Sequence, residues 1–266
     1  MKKRWLTLLI LSLALVLTAC GGGQSQGEQT LKVGASQVPH AEILEHVKPQ
    51  LEKEGIKLEV KVFQDYVLPN KSVQEGELDA NFFQHTPWME ATNREQGWDL
   101  TAVTGVHIEP MGAYSNKLDD IAELKEGATV ALPNATSEIT RVLLLLDDEG
   151  LIKLDNRDGD KTEKNIKSNP KKLKFKLLEA ATLPRVLDQV DFAVINTNYA
   201  LQAKLDPQKD ALFLEGSESP YVNVLAVKKG NEDDEAIQKL ADALTSPEAK
   251  SFIEEKYEGA VVPAFD

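Results

Sequence analysis

Cysteine, histidine and aromatic residues are scarce in this chain of 266 residues, with one cysteine, four histidines and 6% aromatics, and each scarcity closes off a class of answer. A lone thiol, Cys20, cannot form an internal disulfide, so packing must stabilise the folded part. His40, His46, His85 and His107 are scattered, with no His-Glu-x-x-His pair and no second soft ligand, so no metal site is expected unless one is assembled in space. No Walker or dinucleotide glycine pattern occurs, and no cofactor is expected. Gly34-Ala35-Ser36-Gln37-Val38 breaks the nucleophile-elbow pattern at its last position, so no convincing motif supports an enzyme and none is expected. Basic residues are few beside acidic ones, 30 against 43, and the net charge of −13 argues against nucleic acid as a partner. Beyond residue 20 no apolar run reaches the roughly 20 residues of a membrane-spanning helix.

What is present begins with an address. Met1-Lys2-Lys3-Arg4 precedes an apolar run from Trp5 to Val16 and then Leu17-Thr18-Ala19-Cys20, which reads as a signal peptide over residues 1–19. Leu-Thr-Ala-Cys resembles the bacterial lipobox, whose cysteine becomes a thioether to diacylglycerol; an ordinary secretory signal with an incidental free thiol is the alternative. Two acyl chains, at about 0.8 kcal/mol per buried CH2, hold a protein stably on a membrane. Residues 20–30 lack aliphatic side chains and should act as a flexible tether. The expected location is the extracytoplasmic face of the cell membrane.

From residue 31 onward strand-like and helix-like stretches alternate, the pattern of α/β layers. Leu31 to Ala35 predicts a strand, and Ala41 to Glu54 a helix that Pro49 should kink or restart. Leu58, Val60 and Val62 alternate with charged neighbours, a half-buried strand; Asp79 to Phe83 and Leu100 to Val106 read as further strands. A second series follows Gly112: strands at Ala128 to Leu132, Leu173 to Leu178 and Asp191 to Asn196, and a helix from Thr136 to Glu149 closed by Gly150. Residues 155–172, rich in Asp, Lys and Asn, read as a solvated loop or frayed helix. Ser246-Pro247-Glu248 opens a helix running to Tyr257, with a capping serine and proline at the first helical position.

Several polar residues fall where α/β folds bind ligands, at strand ends and helix starts. Arg141 stands in the first turns of an apolar helix, either as a salt-bridged edge residue or as a fork for a carboxylate. Asn196 ends one apolar strand and Asn223 opens another; both residues are also common turn formers. Phe82, Phe83, His85 and Trp88 crowd a short stretch, as core or as pocket wall.

Five ordered blocks carry a resemblance: Asp65-Tyr66-Val67-Leu68-Pro69-Asn70, Asp79 to Trp88, Glu109 to Ser115, Ile195-Asn196-Thr197-Asn198-Tyr199-Ala200, and Ser219-Pro220-Tyr221-Val222-Asn223. They are similar to those of the methionine-binding lipoprotein family, the substrate-binding subunits of methionine ABC importers, over nearly the whole chain from Leu31. The resemblance implies a periplasmic-binding-protein-like fold of two α/β lobes with a ligand cleft between them. Lobe 1 would span 31–110, completed by 222–266, and lobe 2 would span 111–221, with crossings at Glu109 to Met111 and Pro220 to Asn223. It implies that Arg141 clamps the ligand carboxylate, that Asn196, Asn223 and Glu109 lie near its ammonium, and that Tyr66, Phe83, His85 and Trp88 wall the side-chain pocket. A thioether suits aromatic edges, at roughly 0.3–1.5 kcal/mol per contact. The implied partners are methionine and an ABC importer permease; another small amino acid, a methionine-containing dipeptide or an oxidised derivative are alternative ligands, and a metal-binding lipoprotein or an anchored hydrolase would be rival classes. The chain departs from the family at Thr140, where many members have glycine, and at Asn134-Ala135-Thr136-Ser137-Glu138, which replaces a stretch richer in asparagine and proline.

Overall fold

The structure, a computed structural model, describes residues 29–216 and 218–265. The signal peptide, Cys20 and the tether up to residue 28 lie outside the described residues. Gln29 and Thr30, expected in the tether, instead open the first strand, β1 (Gln29–Ser36), opposite Ile56 and Lys57. Ladder bonds need only backbone, so the absence of aliphatic side chains does not exclude a strand end there.

β1, β2 (Ile56–Phe63) and β3 (Ala80–His85) are joined by helices α1 (Glu42–Lys53) and α2 (Leu68–Gln74); α3 (Thr86–Gln96) leads on to β4 (Leu100–Ile108). The chain then enters a second sheet through β5 (Gly112–Tyr114), β6 (Thr129–Pro133), helix α4 (Thr136–Asp148) and the two-stranded pair β7 (Lys153–Leu154) and β8 (Ile166–Ser168). β9 (Lys174–Leu178), β10 (Phe192–Ile195), α5 (Thr197–Gln202), α6 (Pro207–Asp210) and β11 (Ala211–Leu214) complete it. The return path is β12 (Val222–Lys228), α7 (Glu235–Leu244), α8 (Pro247–Tyr257) and β13 (Val262–Pro263).

The six-stranded sheet has the order β13-β4-β12-β3-β1-β2 and the five-stranded sheet β11-β5-β10-β6-β9. β1 is parallel to β2 and β3, while β12 runs antiparallel between β3 and β4. Two α/β lobes result, each with its own core. Leu31, Val33, Phe82, Leu225 and Val227 pack against Ile43, Leu44, Leu240 and Ile253 in the first. Val130, Leu132, Phe192 and Val194 pack against Val142, Leu143 and Leu146 in the second. Between strands, the chain passes from one sheet to the other after β4 and back after β11, so residues 109–111 and 215–221 are the crossings between strands.

Two local expectations need correction. Pro49 does not restart α1, which runs as one helix; Pro49 is exposed, and so is Glu45, whose carbonyl loses its helical donor at a face open to water. Residues 155–172 are not merely solvated. The segment carries β8, and Lys161 within it is 1% exposed, its ammonium satisfied by the carbonyls of Asp158 and Gly159. The Lys161 N–H donates to Thr140 Oγ1 at 2.8 Å, and that hydroxyl donates to the Thr136 carbonyl at 3.0 Å. Thr140, the departure from glycine, therefore pins this insert to α4.

Candidate functional site

Strand ends and helix starts from both lobes converge on one cavity. β3 ends at His85, which caps α3: its Nδ1 accepts from the Trp88 N–H at 3.1 Å. That bond leaves the ring proton on Nε2, 2.6 Å from Glu138 Oε1 in the first turn of α4. Asn196 follows β10 at the N-cap of α5, and its Nδ2 donates to Glu138 Oε2 at 2.6 Å. Behind this wall Asn70, Asn81 and Gln84 form a closed amide network, Gln84 accepting from Asn70 at 2.8 Å and donating to Asn81 at 2.9 Å. Each buried amide has partners, so β3 and α2 are held in fixed relation.

All eight residues singled out in the sequence, Tyr66, Phe83, His85, Trp88, Glu109, Arg141, Asn196 and Asn223, line this cavity, whose empty space including its mouth is about 360 Å³. Gln84, Glu138, Thr197 and Asn198 complete the lining. One side is aromatic: the Tyr66 ring lies 5.8 Å from Phe83, 5.6 Å from Trp88 and 5.0 Å from Tyr199. Tyr66 also donates to Asn198 Oδ1 at 2.6 Å, tying the first lobe to the second.

The other side is charged. Arg141, 3% exposed, lies under the Tyr221 ring at 4.4 Å and donates through Nη2 to the Glu109 carbonyl at 2.8 Å. Its Nε reaches Glu215 Oε1 at 3.1 Å, and Nη2 bonds Oε2 of the same carboxylate. Burial disfavours the guanidinium charge, but Glu215 and Glu138 overcome it and raise the pKa. The edge that the sequence reading offers to a ligand thus grips a carboxylate of the chain itself.

Burial likewise works against ionisation of Glu138, yet the His85 ring, Arg141 and the Asn196 amide hold its carboxyl down at about 2. Glu109 behaves in the opposite sense, its pKa raised because burial outweighs His40 and Arg141. Its Oε1 lies 2.9 Å from His107 Nε2 and 3.2 Å from His40 Nε2, while His40 Nε2 is 3.1 Å from Asn223 Oδ1 and its Nδ1 is 2.6 Å from Ser36 Oγ. Burial depresses His40 to about 4 and His107 to about 3, so both rings are neutral near pH 7. These two histidines, scattered in sequence, meet Glu109 with donor atoms within 4.8 Å of one another, a set whose residue types could hold a divalent cation.

Three buried polar atoms of the lining have no partner: Trp88 Nε1, Asn196 Oδ1 and Asn198 Nδ2. Two donors and an acceptor left open around one cavity are what a polar ligand satisfies.

Sequence reasoning missed Glu138, Glu215, Thr197 and Asn198 as individual site residues. For Glu138 a signal existed: it stands three residues before Arg141 and so shares its helix face. Glu215 had none, because only the return path of the chain brings it to Arg141.

The NlpA lipoprotein family matches residues 31–265. The methionine-binding lipoprotein MetQ of Bacillus subtilis is 42% identical, covering 99% of this chain and 99% of the relative. A solved nutrient-binding protein from Burkholderia cenocepacia bound to methionine superposes with a TM-score of 0.85 at 43% identity, covering 88% of this chain and 100% of that one. An ABC transporter periplasmic substrate-binding protein from Coxiella burnetii gives 0.84 at 39% identity, covering 88% and 100%. Matched over nearly its whole length, this chain belongs to the NlpA lipoprotein family.

Proposed function

We propose that the chain binds methionine in the interlobe cleft and delivers it to an ABC importer, as a lipid-anchored, non-catalytic substrate-binding subunit. The observation that carries this reading is the division of one small cavity into a charged side and an aromatic side. A free amino acid in zwitterionic form brings an anion for Arg141 and a cation for Glu138, Glu109 and the open Asn196 Oδ1. Its thioether meets Tyr66, Phe83 and Trp88, where sulfur–aromatic contacts are favourable. Mass spectrometry of the small molecule retained after gentle purification tests the reading; recovery of a different ligand class, such as a sugar or a metal chelate, overturns it.

In this reading residues 31–110 with 222–266 and residues 111–221 move as two bodies about the crossings. Ligand contacts with both lobes stabilise the closed arrangement. Methionine added to ligand-stripped protein is expected to lower the radius of gyration in small-angle scattering. Superimposable profiles would count against the clamp.

Lipidation at Cys20 would keep the protein at the extracytoplasmic membrane surface. Cys20→Ala is expected to move the protein from the membrane fraction to the soluble one with methionine affinity unchanged. Continued retention of the variant with the membrane would sink the anchor.

A further inference from the structure

Glu138 bridges the two lobes inside the cleft, in a way that gives it a sharper role than one acceptor among several. Only 2% exposed, it joins the lobes, taking His85 Nε2 on one oxygen and Asn196 Nδ2 on the other, each at 2.6 Å. Both partners are committed as donors. The Trp88 N–H occupies His85 Nδ1 and leaves the proton on Nε2. Asn196 turns its Nδ2 to the carboxylate, which leaves Oδ1, buried and unpartnered, as the acceptor it brings to the cavity.

The charges point the same way. Arg141, one helical turn on, is already matched by Glu215, whereas Glu138 faces a ring nitrogen and a neutral amide. Glu138 feels the Arg141 charge but bonds directly only to these two donors, so its oxygens carry no cationic hydrogen-bond partner from the arginine, and a buried anion in that position attracts a cation. Glu138 lines the same cavity as the open Asn196, so it stands where a ligand's cation would arrive.

We propose that Glu138 is a specificity-determining residue of the cleft: beside an Asn196 held as acceptor, it selects ligands that bring a primary ammonium. The proposal rests on the reading of this cleft as an amino-acid site.

The test is calorimetry with methionine and with 4-(methylthio)butanoate, which keeps the carboxylate and the thioether and lacks the ammonium. The parent protein is expected to prefer methionine. Glutamine at 138 offers one acceptor oxygen and an NH2 donor, so it cannot accept from His85 and Asn196 together. Glu138→Gln is expected to weaken methionine binding on the order of 10- to 100-fold. The analogue should stay within about threefold of the parent's value, so that the preference collapses. A role in packing alone would weaken both compounds equally, and that result overturns the proposal. Asn196→Ala removes the acceptor together with one donor to Glu138 while leaving the Glu138 side chain in place, and should lose the same preference; a variant that keeps it also overturns the proposal, even if Glu138→Gln fails to fold. A parent that binds neither compound overturns the amino-acid reading itself. A parent that binds both alike overturns only the role of Glu138.

Discussion

Replacing Arg141 by alanine is expected to weaken methionine binding by about a hundredfold to several thousandfold, the equivalent of roughly 3–5 kcal/mol for removing one partner of a buried pair. The guanidinium is buried at the base of the cleft, where few other cations are near. Its loss leaves the ligand carboxylate and Glu215 as two anions in one desolvated space. The geometry also sets what lysine can recover. Nε and Nη2 are engaged by Glu215 and the Glu109 carbonyl, so in the proposed complex the ligand carboxylate would share the guanidinium with them. A lysine ammonium keeps the charge but cannot reach two carboxylates and a carbonyl in one plane, so Arg141→Lys should restore only part of the affinity. Methionine amide, which lacks the carboxylate, should bind the parent weakly and lose little more on substitution. Calorimetry of both variants with both compounds decides the matter. Affinity of Arg141→Ala for methionine within about threefold of the parent, a loss under 1 kcal/mol, would place the carboxylate elsewhere.

The position of Arg141 was legible early, but local sequence left it open between a salt-bridged residue and a fork for a carboxylate, and the structure pairs it with Glu215. The alternation of strand and helix was legible in local spacing: Leu58 and Val60 repeat every second residue, and Ile43, Leu44, Val47 and Leu51 repeat at helical spacing, so each pattern reports the face it buries, although Val62, the third member of the strand pattern, is 45% exposed. Glu215 and the meeting of His40 with His107 were not legible. Their contacts span 74 and 67 residues of chain respectively, and nothing in local spacing encodes which loop returns to which strand. The segment 155–172 failed for another reason. Its composition is that of a solvated loop, yet Lys161 is buried through backbone carbonyls, and those acceptors belong to every residue type alike.

Phe82 and Phe83 show how far one strand can separate structure from binding, and they provide the second large effect. Successive side chains of β3 point to opposite faces. Phe82, 0% exposed, fills the first lobe's core and meets the His40 and His107 rings edge-on at 4.8 and 5.3 Å. Phe83, 5% exposed, lines the cleft beside Tyr66. Phe82→Ala removes a fully packed ring, and the residual cavity is expected to cost about 3–5 kcal/mol of stability. At about 2–4 °C per kcal/mol for a protein of this size, the melting temperature should fall by roughly 6–20 °C. Phe83→Ala instead removes a wall against which the thioether packs, at about 0.3–1.5 kcal/mol per contact, so methionine affinity should fall by roughly 2- to 12-fold. Its melting temperature in the absence of ligand should drop by clearly less than that of Phe82→Ala, because the ring borders a hollow rather than a packed core. Calorimetric melting of both ligand-free variants, followed by methionine titration at a temperature where both are folded, separates the two faces. If Phe83→Ala melts as low as Phe82→Ala while keeping the parent's affinity, both rings belong to the core and the aromatic wall of the cleft must be drawn without Phe83.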